Sequence, residues 1–275
     1  MFLKDKILIT GAAGTIGSEL YRQLVKQNDL FAVDINETAL FDLHEEHKQK
    51  GFDVKFRIGD VRNRHTVREV LEWKPDVIYH CAALKHVYPN ELFPREAVET
   101  NVVGTLNIVE EAKRTGVKKL IYISTDKVIN SYSVMGTTKR LGELIVKNAG
   151  YVSVRFGNVL GSRGSVIPIW QRQLNQGEPL TVTDEHVERF FMSIQEACSL
   201  VIEAGKMGHG GEIIVMNMGE RKNILQLAKE ILGKAGKEDH PINIIGLRPG
   251  ETLKEELMTE EERKNAKQIG NFYIL

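Results

Sequence analysis

The sequence predicts an α/β fold: a doubly wound parallel sheet with helices on both faces and a smaller mixed α/β C-terminal lobe for substrate binding. Three observations carry this. Short apolar strands alternate with helical stretches from Lys6 to Phe156, the pattern of a parallel sheet built from crossover units. The first strand runs into a glycine-rich turn, and the second ends in an acid. After Gly157 the alternation gives way to a glycine-rich loop and short strands. The division therefore falls between residues 1–156 and 157–275, with the second part folded against the sheet and interleaved with the first.

Each element has its own reason. Lys6–Thr10 (KILIT) is a short buried strand, and an amphipathic helix follows the glycines to about Gln27. Strands are expected at Leu30–Asp34, Asp53–Ile58, Asp76–His80 after the breaker Pro75, Lys119–Ser124 and Tyr151–Phe156. Long helices are expected at Glu96–Arg114 and Val134–Asn148. In the second region strands are read at Pro179–Thr183, Glu188–Met192, Glu212–Asn217 and Ile242–Leu247, and helices near Gln195–Lys206 and Ile224–Leu232. Glu255–Leu275 reads as a charged helix followed by a short FYIL strand.

Composition narrows the function. The 275 residues are 42% hydrophobic and 27% charged with a formal net charge of zero, so a nucleic-acid or membrane-surface role has no electrostatic support. Two cysteines, Cys81 and Cys198, lie in apolar segments and read as reduced thiols, which fits the cytoplasm. No apolar run reaches the roughly 18 residues of a membrane span, and the opening MFLKDKILIT lacks a signal-peptide pattern. No metal-ligand set is assigned.

The chemistry-bearing residues follow the strand ends. Gly11, Gly14 and Gly17, with Thr15 and Ile16 opening the helix, form a dinucleotide turn whose helix N-terminus suits a pyrophosphate. Asp34 lies about 20 residues on, where an acid accepts the ribose hydroxyls and repels a 2′-phosphate. That favours NAD; Arg57 and Arg62 leave NADP open. The alternative for Asp34 is a helix N-cap. Asp60, with Val61, is placed to meet the adenine amino group, or else is a plain turn residue. Ala82 and Ala83 let a cofactor lie close to the backbone. Lys85 and His86 face substrate or diphosphate, or form a solvated loop. Asn101, within a helix, is read as turned inward to brace the catalytic strand.

The stretch Ile121–Lys139 is the centre of this reading. A strand ends in Thr125, Asp126 and Lys127, and the next helix carries Met135 and Lys139. A hydroxyl, an acid and an amine just past a strand's C-terminal end are placed for chemistry in an open α/β sheet. For acid–base work the environment has to leave Lys127 neutral and Asp126 protonated near neutral pH.

TGAAGTIGSEL (10–20), GDVRN (59–63), HCAALKHV (80–87), TNVVGTLNI (100–108), STDKVI (124–129), VMGTTKRLGE (134–143), VRFGNVLGSRGSVIP (154–168), LTVT (180–183), RFFM (189–192) and LRPGE (247–251) run in order along nearly the whole chain. In these motifs the chain resembles the extended short-chain dehydrogenase/reductase superfamily, with its NAD(P)-binding Rossmann fold. Within it, the chain is similar to the polysaccharide-biosynthesis branch of UDP-N-acetylglucosamine 4,6-dehydratases. The resemblance implies C4 oxidation of a UDP-sugar by bound NAD(P)⁺, loss of water across C5/C6 and hydride return to C6, giving a 4-keto-6-deoxy sugar nucleotide. It implies Lys127 and Asp126 as base and acid, Thr125 as a donor to the C4 oxygen, and Lys139 as a ligand of the nicotinamide ribose. It places Lys85 and His86 at the hexose, Asn158 and Val166 near the diphosphate and uracil side, and Thr183, Arg189 and Arg248 on nucleotide and phosphate. Glu251 would accept from a sugar or ribose hydroxyl.

One departure stands out. The superfamily pairs a tyrosine with a lysine four positions on, but here Met135 precedes Lys139, and Tyr132 lies on another turn. Removal of the C4 hydroxyl proton is then assigned to Asp126, Thr125 or a water. Members of the branch with methionine here make the departure a mark of the subfamily. The resemblance further implies a soluble short form without membrane spans, and a homo-oligomer paired through helices 96–114 and 134–148. Two other readings compete: a UDP-sugar 4-epimerase on the same scaffold, for which Asp126 and Lys127 would be idle, and a non-catalytic dinucleotide-binding protein.

Overall fold

The apolar runs fold as the strands they resemble. In the computed structural model, which describes residues 4–275, nine strands form one sheet; Met1–Leu3, part of the stretch read for a signal peptide, lie outside the described residues. The strands are β1 (Lys6–Thr10), β2 (Asp29–Asp34), β3 (Lys55–Ile58), β4 (Val77–His80), β5 (Lys119–Ile123), β6 (Val152–Arg155), β7 (Ile213–Met216), β8 (Lys267–Ile269) and β9 (Phe272–Ile274). Their order is β8-β9-β7-β6-β5-β4-β1-β2-β3. The sheet is parallel from β3 to β7, with Leu8 of β1 between Phe31 of β2 and Ile78 of β4; β9 alone is reversed, antiparallel to both of its neighbours, β7 and β8. The predicted doubly wound sheet is present. Every residue of β4, β6 and β7 is buried, as expected for strands covered on both faces.

Helices α1 (Thr15–Leu24), α2 (Glu37–Lys48), α3 (Arg64–Leu71), α4 (Val87–Leu92), α5 (Pro94–Val98), α6 (Thr105–Thr115), α7 (Val134–Asn148), α8 (Val166–Gln176), α9 (Ile194–Met207), α10 (Ile224–Lys234) and α11 (Glu260–Asn265) complete the chain. One face of the sheet is covered by α1 and α9, the other by α3, α6 and α7. A separate small core gathers Trp170, Leu180, Val182, Val187, Ile224 and Leu232 between α8, α10 and a two-stranded ribbon, Leu180–Val182 with Ile242–Ile244. The strand order reverses between β1 and β4, and the crevice beyond their C-terminal ends is where such sheets bind ligands.

Some elements differ from the sequence reading. The helix expected at Glu96–Arg114 is α5 and α6 joined by a π-helical turn, Glu99–Gly104. The extra residue rotates Asn101 inward. Glu188–Met192 divides between two ribbons, because Glu188–Arg189 pairs with Lys222–Asn223 while Phe191–Met192 pairs with Asn158–Val159. The charged segment from Glu255 is helical only in α11, which a Thr259–Glu262 capping box starts; a hairpin of β8 and β9 follows. Helices α2, α3, α4 and α8 were not anticipated. Asn36 and Asn63 cap the first two by accepting from backbone N–H groups, and a charged outer face dilutes the apolar periodicity of α2.

A buried ion cluster ties this C-terminal segment to the sheet. Arg155 of β6 is fully buried; its Nη2 lies 2.9 Å from Glu143 of α7 and its Nη1 2.9 Å from Glu262 of α11. It also donates to the Leu257 carbonyl. Removing one member strands the others without compensation. Arg155→Ala is therefore expected to cost roughly 3–5 kcal/mol, measured as a lower urea midpoint at unchanged slope; a loss below 1 kcal/mol would contradict this account.

Candidate active site

A cleft of about 750 Å³ opens at the C-terminal ends of the central strands. On its floor lies the glycine turn after β1. Gly11 has φ +66°, and a Cβ there would sit 2.6 Å from the Ala82 nitrogen, so only glycine lets the turn close on the β4 exit. Gly14, Thr15, Ile16 and Gly17 line the cleft at the start of α1. That helix has no side-chain cap and no acid in its first turn, which leaves its N–H groups for an anion. Asp34 locks the turn by accepting from Ala13 N–H at 2.9 Å and Asn36 N–H at 2.9 Å. Asn36, not Asp34, caps α2. A glycine turn, an open helix end and an acid at the β2 tip together fit a dinucleotide.

The neighbouring residues are less uniform. Asp60 accepts from Arg62 through its backbone N–H and side chain, and Arg62 also pairs with Glu96. Arg57 pairs with Glu69. Both arginines that left NADP open are thus neutralised. Val61 is core, Ala82 packs behind the turn, and Ala83 lines the cleft. Asn101 turns inward, as its place within the helix suggests. It is fully buried, accepts from Leu84 N–H at 2.8 Å, and donates to the Leu84 carbonyl and to Thr138 Oγ1, both at 3.0 Å. It braces the loop after β4 against α7.

The turn after β5 carries the densest chemistry. Asp126 is 1% exposed; its Oδ1 accepts from Thr125 Oγ1 at 3.0 Å and from Lys127 Nζ at 3.0 Å. Lys127 Nζ also donates to Asn158 Oδ1 and to Glu255 Oε2, each at 2.9 Å. Glu255 in turn lies 3.2 Å from the Arg189 Nε. Burial, then the charge of Glu255, pushes the Asp126 carboxyl well above the usual carboxylate range. Burial alone would lower Lys127, but the two carboxyls beside it outweigh this and hold it above its ordinary value. For Glu255, burial is outweighed by Lys127 and Arg189, which keep it ionised. The expectation of a protonated Asp126 agrees with this arrangement. The expectation of a neutral Lys127 does not: all three of its N–H bonds are held, so its lone pair is unavailable.

Met135 is buried in the first turn of α7 and lines the cleft, whereas Tyr132 is 83% exposed and stands on the rim of a second cavity. Lys139 lines the cleft, donates to the Ile123 carbonyl and lies 4.0 Å from the Tyr122 ring centre; burial lowers it to about 7.

Across the cleft stand Lys85, His86, Asn158, Val166, Thr183, Arg248 and Glu251. Arg248 is exposed there, and Glu251 accepts from its backbone N–H. Arg189 also lines the cleft, but its bonds run inward: Nη1 to the Glu188 and Leu253 carbonyls, Nη2 to Thr252. It clamps the loop carrying Glu255, a different task from the phosphate grip expected of it. Three features escaped the sequence. Glu255 sits in a charged run that looks solvated. Arg163 lies over the glycine turn, its Nη1 donating to Ala13 and its N–H to Thr15 Oγ1. Helix α8 points its N-terminus into the cleft, with Ser165 Oγ buried and unpartnered among the described residues.

The model of a family described as polysaccharide biosynthesis protein matches residues 7–275. The capsular polysaccharide biosynthesis protein CapD of Staphylococcus aureus is 43% identical over 93% of this chain; the chain spans 45% of CapD's length. A UDP-glucose 4-epimerase of Rickettsia bellii is 35% identical over 99% of this chain and 83% of its own. Among solved structures, Pen from Bacillus thuringiensis superposes with a TM-score of 0.95 at 36% identity, covering 100% of this chain and 89% of that one. DesIV, a dTDP-glucose 4,6-dehydratase from Streptomyces venezuelae, shares the fold with a TM-score of 0.79 at 24% identity over 94% and 90% of the two chains. By motif, fold and match over almost its whole length, the chain belongs to the polysaccharide biosynthesis protein family of extended short-chain dehydrogenase/reductases.

Proposed function

We propose that this protein is a nucleotide-sugar 4,6-dehydratase acting on UDP-N-acetylglucosamine or a similar UDP-hexosamine. The observation that carries the reading is the buried Asp126–Lys127 pair, in which burial and Glu255 keep Asp126 as an acid beside an amine. An epimerase has no use for such a pair; water loss needs both an acid at O6 and a base at C5. The glycine turn, Asp34 and Lys139 would hold NAD, which would supply the hydride acceptor for C4 and the hydride donor for C6. Asp34, with Arg57 and Arg62 already paired, supports NAD over NADP; the solved DesIV structure holds NAD. The N-terminus of α8 and Arg248 suit the substrate diphosphate, and Lys85 and His86 the hexose.

Two further assignments belong to the same reading. The free thiols Cys81 and Cys198 support a reducing, cytoplasmic setting; among the described residues no helix is long and apolar enough to cross a membrane. Val103, Leu106, Leu141 and Leu144 are exposed on the π-turn, α6 and α7, which supports pairing of two copies through these helices. The alternative, a UDP-sugar 4-epimerase, is favoured by the relative from Rickettsia bellii.

Mass spectrometry separates the two. Incubated in D₂O with UDP-N-acetylglucosamine, the protein is expected to yield a product lighter by one water and carrying one solvent deuterium at C5. An isomer of unchanged mass and no deuterium would establish the epimerase instead. Asp126→Asn is expected to lower kcat by roughly 10²–10⁴ while the variant still binds nucleotide; wild-type turnover would remove Asp126 as the acid. The pH dependence has a definite sign. Asp126 works as the acid form, and its raised pKa carries that form toward neutrality, so kcat should fall as pH rises through that value. A profile falling only in the ordinary carboxylate range would contradict this. Sedimentation of Leu141→Glu/Leu144→Glu should show a smaller species than wild type; identical sedimentation would place any oligomer contact elsewhere.

A further inference from the structure

We propose that Glu255 is a positioning residue of the elimination, taking a proton from Lys127 across their 2.9 Å contact and so turning the ammonium into the amine that attacks H5. This rests on the dehydratase reading and extends it to a side chain outside every motif that carried the resemblance.

Of the three acceptors around Lys127, one is able to take its proton. Lys127 donates to Asp126, Asn158 and Glu255 and has no lone pair until one proton leaves. The Asn158 amide does not take a proton. Asp126 is already the acid that O6 requires. Glu255 remains, buried, ionised and held toward Lys127 by Arg189. When its proton moves, the Lys127 Nζ–H bond breaks and the Glu255 Oε2–H bond forms. An ion pair becomes a neutral pair, which a substrate covering the cleft favours by excluding water.

The remaining steps balance. Nζ takes H5 as a proton. The C5–H electrons form the C5=C6 bond, the C6–O bond breaks, and O6 leaves as water with the Asp126 proton. Lys127 is then an ammonium, Asp126 a carboxylate and Glu255 a neutral acid. Asp126 and Glu255 are hydrogen-bond neighbours. Lys127 then gives a proton to C5 as hydride returns to C6 and recovers one from water, which took the C4 hydroxyl proton at the oxidation step, and the Asp126 carboxyl receives the Glu255 proton, which restores the resting arrangement. Gly157 leaves that carboxyl room, since a Cβ there would lie 2.8 Å from Asp126 Oδ2. A second cavity of about 350 Å³ reaches Asp126, Lys127 and Glu255 from the side away from the glycine turn.

The test is Glu255→Gln in the full chain with its cofactor, which keeps shape and hydrogen bonding but cannot take the proton. The charged groups facing Lys127 are Asp126, Glu255, Arg189 and, across the cleft, Lys85. With UDP-N-acetylglucosamine, KM should change less than about threefold, while kcat at neutral pH falls by about 10²-fold. Because Glu255 also raises Asp126, the fall of kcat with rising pH should move to lower pH in this variant; Glu255→Asp should recover part of the rate. A Glu255→Gln protein with wild-type kcat and pH profile, or one that loses only binding and melting temperature, would overturn the proposal. If the wild type removes no water from UDP-hexosamines, the function reading falls separately. The Lys127–Glu255 pair is then judged by ¹⁵N NMR titration of the Lys127 amine: a lower midpoint in Glu255→Gln upholds the proton pairing, and an unchanged one overturns it.

Discussion

Three hydrogen bonds from one ammonium group hold the site together. Lys127 reaches its sequence neighbour Asp126, Asn158 beyond β6, and Glu255 in the segment before α11. Arg189, from a ribbon of the smaller region, closes the circuit on Glu255. Four parts of the chain distant in sequence thus meet at buried charges. Such a cluster is costly to desolvate and costly to break, so it contributes geometric definition more than net stability. It also divides the labour: burial, then Glu255, pushes Asp126 toward its neutral form, while the carboxyls beside Lys127 hold it toward its charged form.

Around this cluster the fold arranges two helix ends. The N-terminus of α1 meets the glycine turn, and the N-terminus of α8 enters the same cleft from the other side. Each offers unpaired N–H groups and partial positive charge. Their placement suits phosphate groups at two places in one cleft, which Lys127 also lines. Arg163 and Lys85 join the two halves: Arg163 bonds down to Ala13 and Thr15, and Lys85 donates to the Arg163 carbonyl.

Much of this was legible in the sequence because it depends on local patterns. Strand periodicity, the glycine turn, Asp34 at the β2 tip and the Asp126–Lys127 dipeptide are each set by a few adjacent residues. What was not legible depends on tertiary partners. No local signal separates Glu255 from the acids around it in KEELMTEEE; only burial against Lys127 and Arg189 does. Arg189 reads as a phosphate ligand until the Thr252 and Leu253 carbonyls are seen to occupy it. The charge of Lys127 depends on tertiary partners in the same way, since burial alone argues for a neutral amine and the carboxylates beside it reverse the balance. The π-turn at Glu99–Gly104 likewise depends on what Asn101 meets, here the Leu84 backbone and Thr138.

The hairpin of β8 and β9 has a consequence of its own. It adds to the same sheet as β1, beside β7, with Leu275 and Ile213 exchanging backbone hydrogen bonds. The short stretch before it supplies Glu255, and α11 supplies Glu262 to Arg155. Docking this segment therefore completes the sheet edge, the buried ion cluster and the proton-handling group in one cooperative event. A molecule in which the segment has opened keeps its glycine turn and its dinucleotide face but loses the partner that holds Lys127. The dinucleotide face and the support of Lys127 therefore depend on different segments of one chain.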